Sequence, residues 1–356
     1  MRHAVIMAGG SGTRLWPLSR RSKPKQLLRI FGGQSLLRKS FERLNRLLPP
    51  EQIYVITARD YLPAVAAELP ELPAENLIGE PCPRDTANAV GLAAHLLELR
   101  DPDGTMGIFT ADQIITPVDA FRDTLQKAFE TAEQHADALI TFGVPPASPH
   151  TGYGYVHRGR LLSSGVYEVR QFKEKPDRAT AETYVASGEY YWNSGMFVWR
   201  IGTILEQIRK HQPAMAEGQQ RVAARFARNL ASPEAVEQFG KLPKISVDFA
   251  IMEKADRVLV VELPCEWLDV GSWTSLAEIL QADEAGNTHA APRVATLSAS
   301  NNILVSESDH LIAAIGVSDL IVVHSDDATL ICRREDAQRI KELLENLKET
   351  HGEQYS

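Results

Sequence analysis

Hydrophobic and polar positions alternate between two periodicities in the first half of the chain. The mostly apolar runs at residues 3–7 (HAVIM) and 52–57 (QIYVIT) are typical of strands. Between them, apolar side chains recur at helical spacing over residues 35–48, and two prolines then end the helix. Strands at 107–110 and 138–142 flank another helix. This alternation predicts βαβ units, a parallel sheet and helices on both of its faces.

The middle of the chain is less regular. Residues 86–99 predict a helix rich in small side chains. Strands are then predicted at 152–158, 165–173 and 195–200, and a helical stretch at 201–239.

The pattern changes again after Glu284. Short β-branched runs separated by turn residues follow one another at even spacing, and an amphipathic helix at 334–348 comes last. Such strands suggest a sandwich, a barrel or a β-solenoid. We predict two domains, an α/β domain at residues 1–284 and a β-rich domain with a terminal helix at residues 285–356.

Composition and charge exclude several classes of protein. The 356 residues carry 38 Lys and Arg against 46 Asp and Glu, a formal net charge of −8, which argues against a broad surface for nucleic acid or anionic membranes. No apolar run approaches the ~20 residues of a membrane span, and the first one leads into glycines, unlike a signal peptide. Three cysteines far apart exclude a disulfide framework. We expect a cytoplasmic protein.

The most informative segment is the glycine-rich loop that leaves the first predicted strand, AGGSGTRLWPLSR at 8–20. Glycines let the backbone turn tightly and bring N–H groups against an anion. The loop lacks the spacing of a dinucleotide fingerprint and the Gly-Lys-Ser/Thr of a Walker A loop. It has Thr13 and Arg14 instead, with a second cation at Lys25. Such a loop suits a polyphosphate, and the alternative is a plain turn with solvated cations.

Further motifs follow this loop in a fixed order. They are EP at 80–81 with RDTA at 84–87, ADQ at 111–113, GYGYV at 152–156, FKEKP at 172–176, WNSGMF at 192–197, DFAIME at 248–253 and WLDVGSW at 267–273. This order resembles the sugar-1-phosphate nucleotidyltransferases, and within them the mannose-1-phosphate guanylyltransferases. The resemblance covers almost the whole chain. It implies a Rossmann-like α/β nucleotidyltransferase domain with a mixed, mostly parallel sheet, and a small C-terminal β-solenoid-like domain.

The resemblance also implies a reaction, the transfer of GMP from GTP to α-D-mannose 1-phosphate with release of pyrophosphate. Its catalytic residues would be Arg14 and Lys25, which stabilise the pyrophosphate, and Lys175, which orients the nucleophile. Mg²⁺ is the implied cofactor, held by Asp112 and Asp269, because hard carboxylates can hold this ion beside substrate phosphates. We expect these two carboxylates to converge on one side of the sheet.

Two further sets of residues are implied to bind the substrates. The resemblance assigns the nucleotide to Gly9, Gly10, Ser11, Gly12, Thr13, Glu80, Asp85 and Thr86, and the sugar to Gly154, Glu174 and Asn193. The resemblance places Glu80 near the base, where a carboxylate can accept from both N–H donors of the guanine edge. Asp85 is an alternative acceptor. Thr86 is a candidate N-cap of the helix at 86–99.

Three residues depart from the usual family pattern. Gln113 replaces the histidine that commonly follows the first aspartate, so a proton-handling role there is not expected. Asp85 replaces an asparagine and Asn88 a proline, both where the family recognises its base. A nucleotidyltransferase for another sugar 1-phosphate or nucleotide therefore stays open. A non-catalytic sensor of GDP-mannose is a second alternative, against which the retained catalytic charges argue.

The β-rich segment after Glu284 contains none of the motif residues. Its strands are too short for a large core of their own. We expect it to pack against the catalytic domain and to supply the contact of a homodimer.

Overall fold

The computed structural model describes residues 1–355 apart from residues 11, 31–32, 228 and 279. The chain forms two compact units, each assembled from separate stretches of sequence. The first unit comprises Met1–Gly9, Phe41–Thr110 and Ile115–Trp267, and the second comprises Gly10–Ser40, Ala111–Ile114 and Leu268–Ser356. The division at residue 284 stays a prediction.

The elements are numbered along the chain. The strands are β1 Arg2–Met7, β2 Ile53–Ala58, β3 Leu77–Glu80, β4 Thr105–Thr110, β5 Gln113–Thr116, β6 Leu139–Val144, β7 Gly154–Ser163, β8 Val166–Lys173, β9 Tyr190–Arg200, β10 Val258–Glu262, β11 Glu266–Asp269, β12 Thr288–Ala290, β13 Arg293–Leu297, β14 Ile303–Ser306, β15 Leu311–Ile315, β16 Leu320–His324 and β17 Thr329–Arg333. The helices are α1 Leu36–Asn45, α2 Leu62–Glu68, α3 Thr86–Glu98, α4 Val118–Gln134, α5 Arg178–Ser187, α6 Ile201–His211, α7 Pro213–Phe226, α8 Pro233–Gly240, α9 Trp273–Ala277 and α10 Ile340–His351.

In its described residues, the first unit is built on a nine-stranded sheet with the order β3-β2-β1-β4-β9-β6-β10-β8-β7. β1 pairs in parallel with β2 and β4, β2 with β3, and β6 with β10. β9 runs antiparallel to β4, β6 and β7, and β8 runs antiparallel to β7 and β10. All strands of this sheet except β8 and β9 therefore point the same way. The expectation of a mixed, mostly parallel sheet is confirmed.

Burial explains why the central strands have continuous apolar sequences. Ala4, Val5 and Ile6 in β1 are fully buried, as strands covered on both faces are in α/β proteins. Because β1, β3 and β4 are parallel, their carboxyl ends meet at one edge of the sheet, the edge at which ligands bind in open α/β folds. Glu80 is the last residue of β3 and so lies at this edge.

The helices differ from the predicted ones mainly at prolines. The predicted helical stretch at 201–239 is three helices, because Pro213 and Pro233 each occupy the first position of a new helix. α3 is buried on nearly all sides, which explains its small residues. No helix in the described part of the chain is long and apolar enough to cross a membrane.

The second unit contains a β-solenoid. β12, β14 and β16 stack in parallel to form one side, and β13 and β15 pair in parallel to form another. Asn302 is fully buried at a turn between them, where its side-chain amide donates to the Oδ1 of Asn287 at 2.9 Å and to the backbone oxygen of Val317 at 3.1 Å. The solenoid was one of three architectures that the strand spacing allowed, and the prediction of a β-solenoid-like domain is confirmed.

Candidate functional site

The glycine loop turns directly after β1. Gly9 and Gly10 are exposed, and Gly10 and Gly12 have positive φ angles of 89° and 65°. Side chains disfavour this left-handed conformation, so glycine suits both positions. A Cβ atom at Gly12 would lie 2.5 Å from the Cβ of Lys25, whereas one at Gly10 would meet no atom within 4 Å. Gly12 therefore lets Lys25 approach the loop, and Ser11 lies outside the described residues.

A 3-10 turn, Thr13–Leu15, follows the glycines and anchors the loop. The last residue of the turn is fully buried in the core of the second unit. The backbone oxygen of Trp16, the next residue, accepts from the indole Nε1 of Trp273 at 3.0 Å. Thr13 remains half-buried and Arg14 exposed. The turn thus presents these two side chains from a fixed backbone.

Lys25 lies beside aspartates from distant parts of the chain. Its Nζ is 2.6 Å from the Oδ2 of Asp112 and 3.4 Å from the backbone oxygen of Val270. The N–H of Val270 donates to the backbone oxygen of Asp112 at 3.1 Å, which holds the Asp269 loop next to Asp112. Burial acts to lower the pKa of Lys25, but the carboxylates of Asp112 and Asp269 outweigh burial and raise it. The structure thus brings these three predicted site residues together around a charged ammonium.

The two aspartates supply donors that suit a divalent cation. Mg²⁺ usually takes one or two carboxylates together with substrate phosphates. The raised pKa of Lys25 shows that positive charge is favoured beside this pair. Within the described residues, no group of three or more His, Cys, Asp or Glu side chains is arranged to hold a metal by itself. The pair therefore fits an ion whose coordination is completed by phosphate oxygens.

Glu80, the predicted base-reading acid, is almost completely buried at the end of β3. Burial raises the pKa of Glu80 to about 7, and the nearby Asp85 carboxylate adds to the shift. The charged form of a carboxyl is disfavoured when water is removed from it. Glu80 therefore changes its charge near neutral pH, and its ionised form can accept two hydrogen bonds from a base edge.

Asp85, and not Thr86, caps helix α3. Its carboxylate accepts from the backbone N–H of Thr86 at 2.8 Å, and the Thr86 hydroxyl accepts from the N–H of Val247 at 2.9 Å. The N-cap prediction for Thr86 is wrong because the preceding carboxylate is a stronger acceptor than a hydroxyl. The fully buried Asn88 donates to two backbone oxygens, that of Arg84 at 2.8 Å among them. Burial and these hydrogen bonds account for asparagine at position 88, where the family pattern has proline.

The residues expected at the sugar lie together in the first unit. Gly154 on β7 is directly opposite Asn193 on β9. A side chain at Gly154 would overlap the Glu174 carboxylate, and its Cβ would lie 3.2 Å from the Cβ of Asn193. The Nζ of Lys175 is 2.5 Å from the Oε1 of Glu174, while the buried Oε2 has no hydrogen-bond partner among the described residues. A buried acceptor left in this way is available to a ligand hydroxyl.

Asp248 joins this cluster, a role that the sequence analysis missed. Its Oδ1 accepts from the Nδ2 of Asn193 at 2.9 Å. The Oδ1 of Asn193 accepts from the Thr141 hydroxyl and the Gly195 N–H, both at 3.1 Å. Burial raises the pKa of Asp248 to about 7, and the Glu174 carboxylate adds to the shift. The Oδ1 of Asn193 is already occupied by these hydrogen bonds within the protein. The acceptors of this cluster are therefore the carboxylates of Glu174 and Asp248.

Comparison with known families agrees with this fold. Residues 3–286 match the nucleotidyl transferase family model, and residues 293–347 match the model of a MannoseP isomerase/GMP-like beta-helix domain. The chain belongs to the nucleotidyl transferase family. Enzymes of this family generally use a divalent metal ion.

Individual relatives cover nearly the whole chain. A mannose-1-phosphate guanylyltransferase of Klebsiella pneumoniae is 41% identical over 99% of this chain and 75% of its own length. A crystal structure from Thermus thermophilus, described as a mannose-1-phosphate geranyltransferase, superimposes with a TM-score of 0.87 at 35% identity, over 98% of this chain and 99% of its own. A Helicobacter pylori structure, described as a mannose-6-phosphate isomerase, covers 75% of this chain and 99% of its own, with a TM-score of 0.62 and 26% identity.

Proposed function

We propose that this chain transfers GMP from GTP to α-D-mannose 1-phosphate, giving GDP-mannose and pyrophosphate. The observation that carries the proposal is the 41% identity to a mannose-1-phosphate guanylyltransferase over 99% of the chain. The contact of Lys25 with Asp112 supports catalysis over mere binding, because a sensor of nucleotide sugars does not require this charge cluster. An enzyme of this class uses GTP and mannose 1-phosphate as its substrates.

In the proposed reaction, an oxygen of the sugar phosphate attacks the α-phosphorus of GTP in line and pyrophosphate leaves. The phosphate is already ionised at neutral pH, so no general base is required. Catalysis then consists of positioning and of stabilising negative charge. Arg14, Lys25 and the loop N–H groups stabilise the pyrophosphate. Lys175 orients the attacking phosphate.

Asp112 and Asp269 are the proposed holders of Mg²⁺. When bound, the ion neutralises charge on the nucleotide phosphates. The ammonium of Lys25 lies 2.6 Å from the Oδ2 of Asp112 and balances part of the negative charge of the pair.

We propose that carboxylates recognise both the guanine base of GTP and the sugar of mannose 1-phosphate. Glu80 accepts from the N1–H and N2–H donors that distinguish guanine from adenine. Glu174 and Asp248 accept from sugar hydroxyls, and support for this comes from the buried, unpartnered Oε2 of Glu174 among the described residues.

A substrate panel tests the proposal directly. Pyrophosphate release is measured with GTP, ATP and UTP, each combined with mannose 1-phosphate or glucose 1-phosphate. We expect the highest kcat/KM for GTP with mannose 1-phosphate. A higher value for another pair would identify a different nucleotidyltransferase, and no turnover with any pair would favour the sensor.

Replacing Glu80 by glutamine tests base recognition. We expect the preference for GTP over ATP to fall by at least about tenfold, because a pocket that pairs buried polar groups discriminates strongly between ligands. In the wild type the preference should rise as the pH increases from 6 to 8, since the pKa of Glu80 is raised to about 7 and only the carboxylate accepts from both donors. In Glu80→Gln the preference should not depend on pH.

The exposed Glu75 provides a matched control five residues earlier. Glu75→Gln should keep the wild-type ratio of kcat/KM for GTP and ATP at every pH. If Glu80→Gln behaves in the same way, Glu80 does not read the base, and Asp85 becomes the acceptor to test.

We also propose that the chain forms a homodimer through the outer face of β13 and β15. Leu297 and Ile315 are neighbours in this parallel pair and are 63% and 70% exposed, and Leu311 is 54% exposed. An exposed apolar face of this kind is typical of an interface between proteins. A closed two-fold dimer would cover it on both copies.

Replacing Leu311 and Ile315 by glutamate should convert the dimer into a monomer, as measured by light scattering across a range of protein concentrations. Ile331→Glu is the matched control, because Ile331 is 66% exposed but lies on β17 in the other sheet. A wild-type protein that stays monomeric at high concentration would refute the dimer.

A further inference from the structure

The segment after the glycine loop, residues 20–29, is rich in cations and contains Lys25. Its first residues form a tight turn. The N–H of Arg20 donates to the backbone oxygen of Lys23 at 2.9 Å, and the N–H of Lys23 donates to the backbone oxygen of Arg20 at 3.1 Å. Lys25 itself begins a short 3-10 turn. The position of the Lys25 ammonium therefore depends on what holds the backbone of this segment on each side.

Asp327 holds the segment before Lys25. The Nη1 of Arg20 donates to the Oδ2 of Asp327 at 2.8 Å, and its Nη2 also contacts this carboxylate. The Nε of Arg20 donates to the backbone oxygen of Pro17 at 2.9 Å. Burial acts to raise the pKa of Asp327, but its hydrogen bonds with Arg20 outweigh this and lower it. A single guanidinium thus links the end of the glycine loop to the solenoid.

Glu307 holds the segment on both sides of Lys25. One oxygen of its carboxylate pairs with the Nζ of Lys23. The other accepts from the backbone N–H of Arg29 at 2.9 Å. The Glu307 side chain is 17% exposed, so these contacts are partly shielded from water. Lys25 lies in sequence between Lys23 and Arg29, the two residues that Glu307 contacts.

The two acids lie at the same corner of the solenoid. β14 and β16 pair in parallel with Ser306 opposite His324. Glu307 directly follows β14, and Asp327 lies in the turn after β16. Because β14 and β16 are parallel neighbours, the chain leaves both strands at the same end of the sheet. The turn after β14 supplies Glu307, and the hairpin turn from β16 to the antiparallel β17 supplies Asp327. The solenoid therefore presents a stacked acidic corner to the basic segment.

We propose that this corner, made by Glu307 and Asp327, positions the segment that carries Lys25, and that the solenoid thereby sets the efficiency of nucleotidyl transfer. This inference rests on the proposed function, in which Lys25 stabilises the leaving pyrophosphate. Glu307 and Asp327 are positioning residues, since they act through Arg20, Lys23 and the backbone and not on the substrate.

The expected effect is larger on catalysis than on stability. Exposed and half-exposed ion pairs contribute little to the free energy of unfolding. A displacement of about 1 Å at a charged catalytic group, by contrast, can lower a rate by about 100-fold. A purely structural role would lower the unfolding temperature and leave kcat of the folded enzyme unchanged.

The experiment compares Glu307→Ala, Asp327→Ala and the double variant with Asp309→Ala. Asp309 is the matched control, because it forms an exposed ion pair with Arg293 at 2.7 Å near the same corner and contacts no part of the basic segment in the described structure. We expect the double variant to lose about 10- to 100-fold in kcat. The KM for mannose 1-phosphate should stay within about twofold of the wild type, because Lys175 is not disturbed. Glu307→Gln and Asp327→Asn, which keep an acceptor, should lie between the wild type and the alanine variants.

Pyrophosphate binding, measured by calorimetry, reports on displacement of the Lys25 ammonium without requiring turnover. The Kd for pyrophosphate should rise at least about tenfold in the double variant, in parallel with the loss of kcat. A Kd equal to that of Asp309→Ala would overturn the inference, as would a wild-type protein that does not bind pyrophosphate. If the wild type binds pyrophosphate but does not form GDP-mannose, the proposed function fails, and the Kd values still decide the inference.

Discussion

Replacing Asp112 by asparagine is expected to lower kcat for GDP-mannose formation by about 10²- to 10³-fold, and Asp269→Asn should do the same, because each removes one proposed ligand of the Mg²⁺ that would neutralise charge on the reacting phosphates. The structure gives the physical reason. Asp112 lies 2.6 Å from the Lys25 ammonium, and both carboxylates raise the pKa of Lys25. Each substitution therefore removes a proposed metal ligand and also weakens the charge balance around the lysine.

The measurement combines steady-state kinetics with a titration of Mg²⁺. Raising the Mg²⁺ concentration should recover part of the lost activity in each variant, since one carboxylate remains. Asp309→Asn, on the exposed solenoid surface, serves as the control and should keep full activity. If Asp112→Asn and Asp269→Asn retain full kcat and an unchanged Mg²⁺ dependence, the two aspartates are not the metal ligands.

Replacing Gly12 by alanine is expected to lower kcat by about 100-fold, because a displaced catalytic group loses its alignment with the substrate. The added Cβ would lie 2.5 Å from the Cβ of Lys25, so the lysine has to move. The positive φ of 65° adds a strain of about 1–2 kcal/mol for any residue with a side chain.

Gly10→Ala separates strain from displacement. Gly10 also has a positive φ, of 89°, but a Cβ there would meet no atom within 4 Å. Its substitution should lower the unfolding temperature by a similar amount and change the Kd for pyrophosphate much less than Gly12→Ala does. Equal effects of the two substitutions on pyrophosphate binding would show that contact between Gly12 and Lys25 is not what matters.

Local features of the fold were predictable because they depend on neighbouring residues. The buried run of β1 and the glycines after it are adjacent in sequence, and the positive φ angles of Gly10 and Gly12 follow from that short stretch. The predicted helix at 201–239 was too long, since its apolar pattern continues across Pro213 and Pro233. Proline is favoured at the first position of a helix, so each of these prolines begins a new helix where the preceding one ends.

The candidate site was predictable in its residue types and not in its contacts. The resemblance assigned Asn193 to the sugar, but the acceptor of its amide is occupied by Thr141 and Gly195. Asp248 is 55 residues away from Asn193 in sequence, and no local pattern reveals their hydrogen bond. Likewise, the raised pKa of Glu80 is caused first by burial, which depends on elements packed around β3.

The sequence by itself determined that the chain has a glycine-rich loop after its first strand, two nearby cations and a series of short C-terminal strands. It placed the loop and the strands in separate domains. Only the tertiary structure decided that Leu15 and Trp16 of the loop share a hydrophobic core with Ile303 and Ile321 of the solenoid. The physical reason is that the hydrophobic effect is non-directional: an apolar pattern shows that a residue will be buried, but the partner that buries it is chosen by the folded chain.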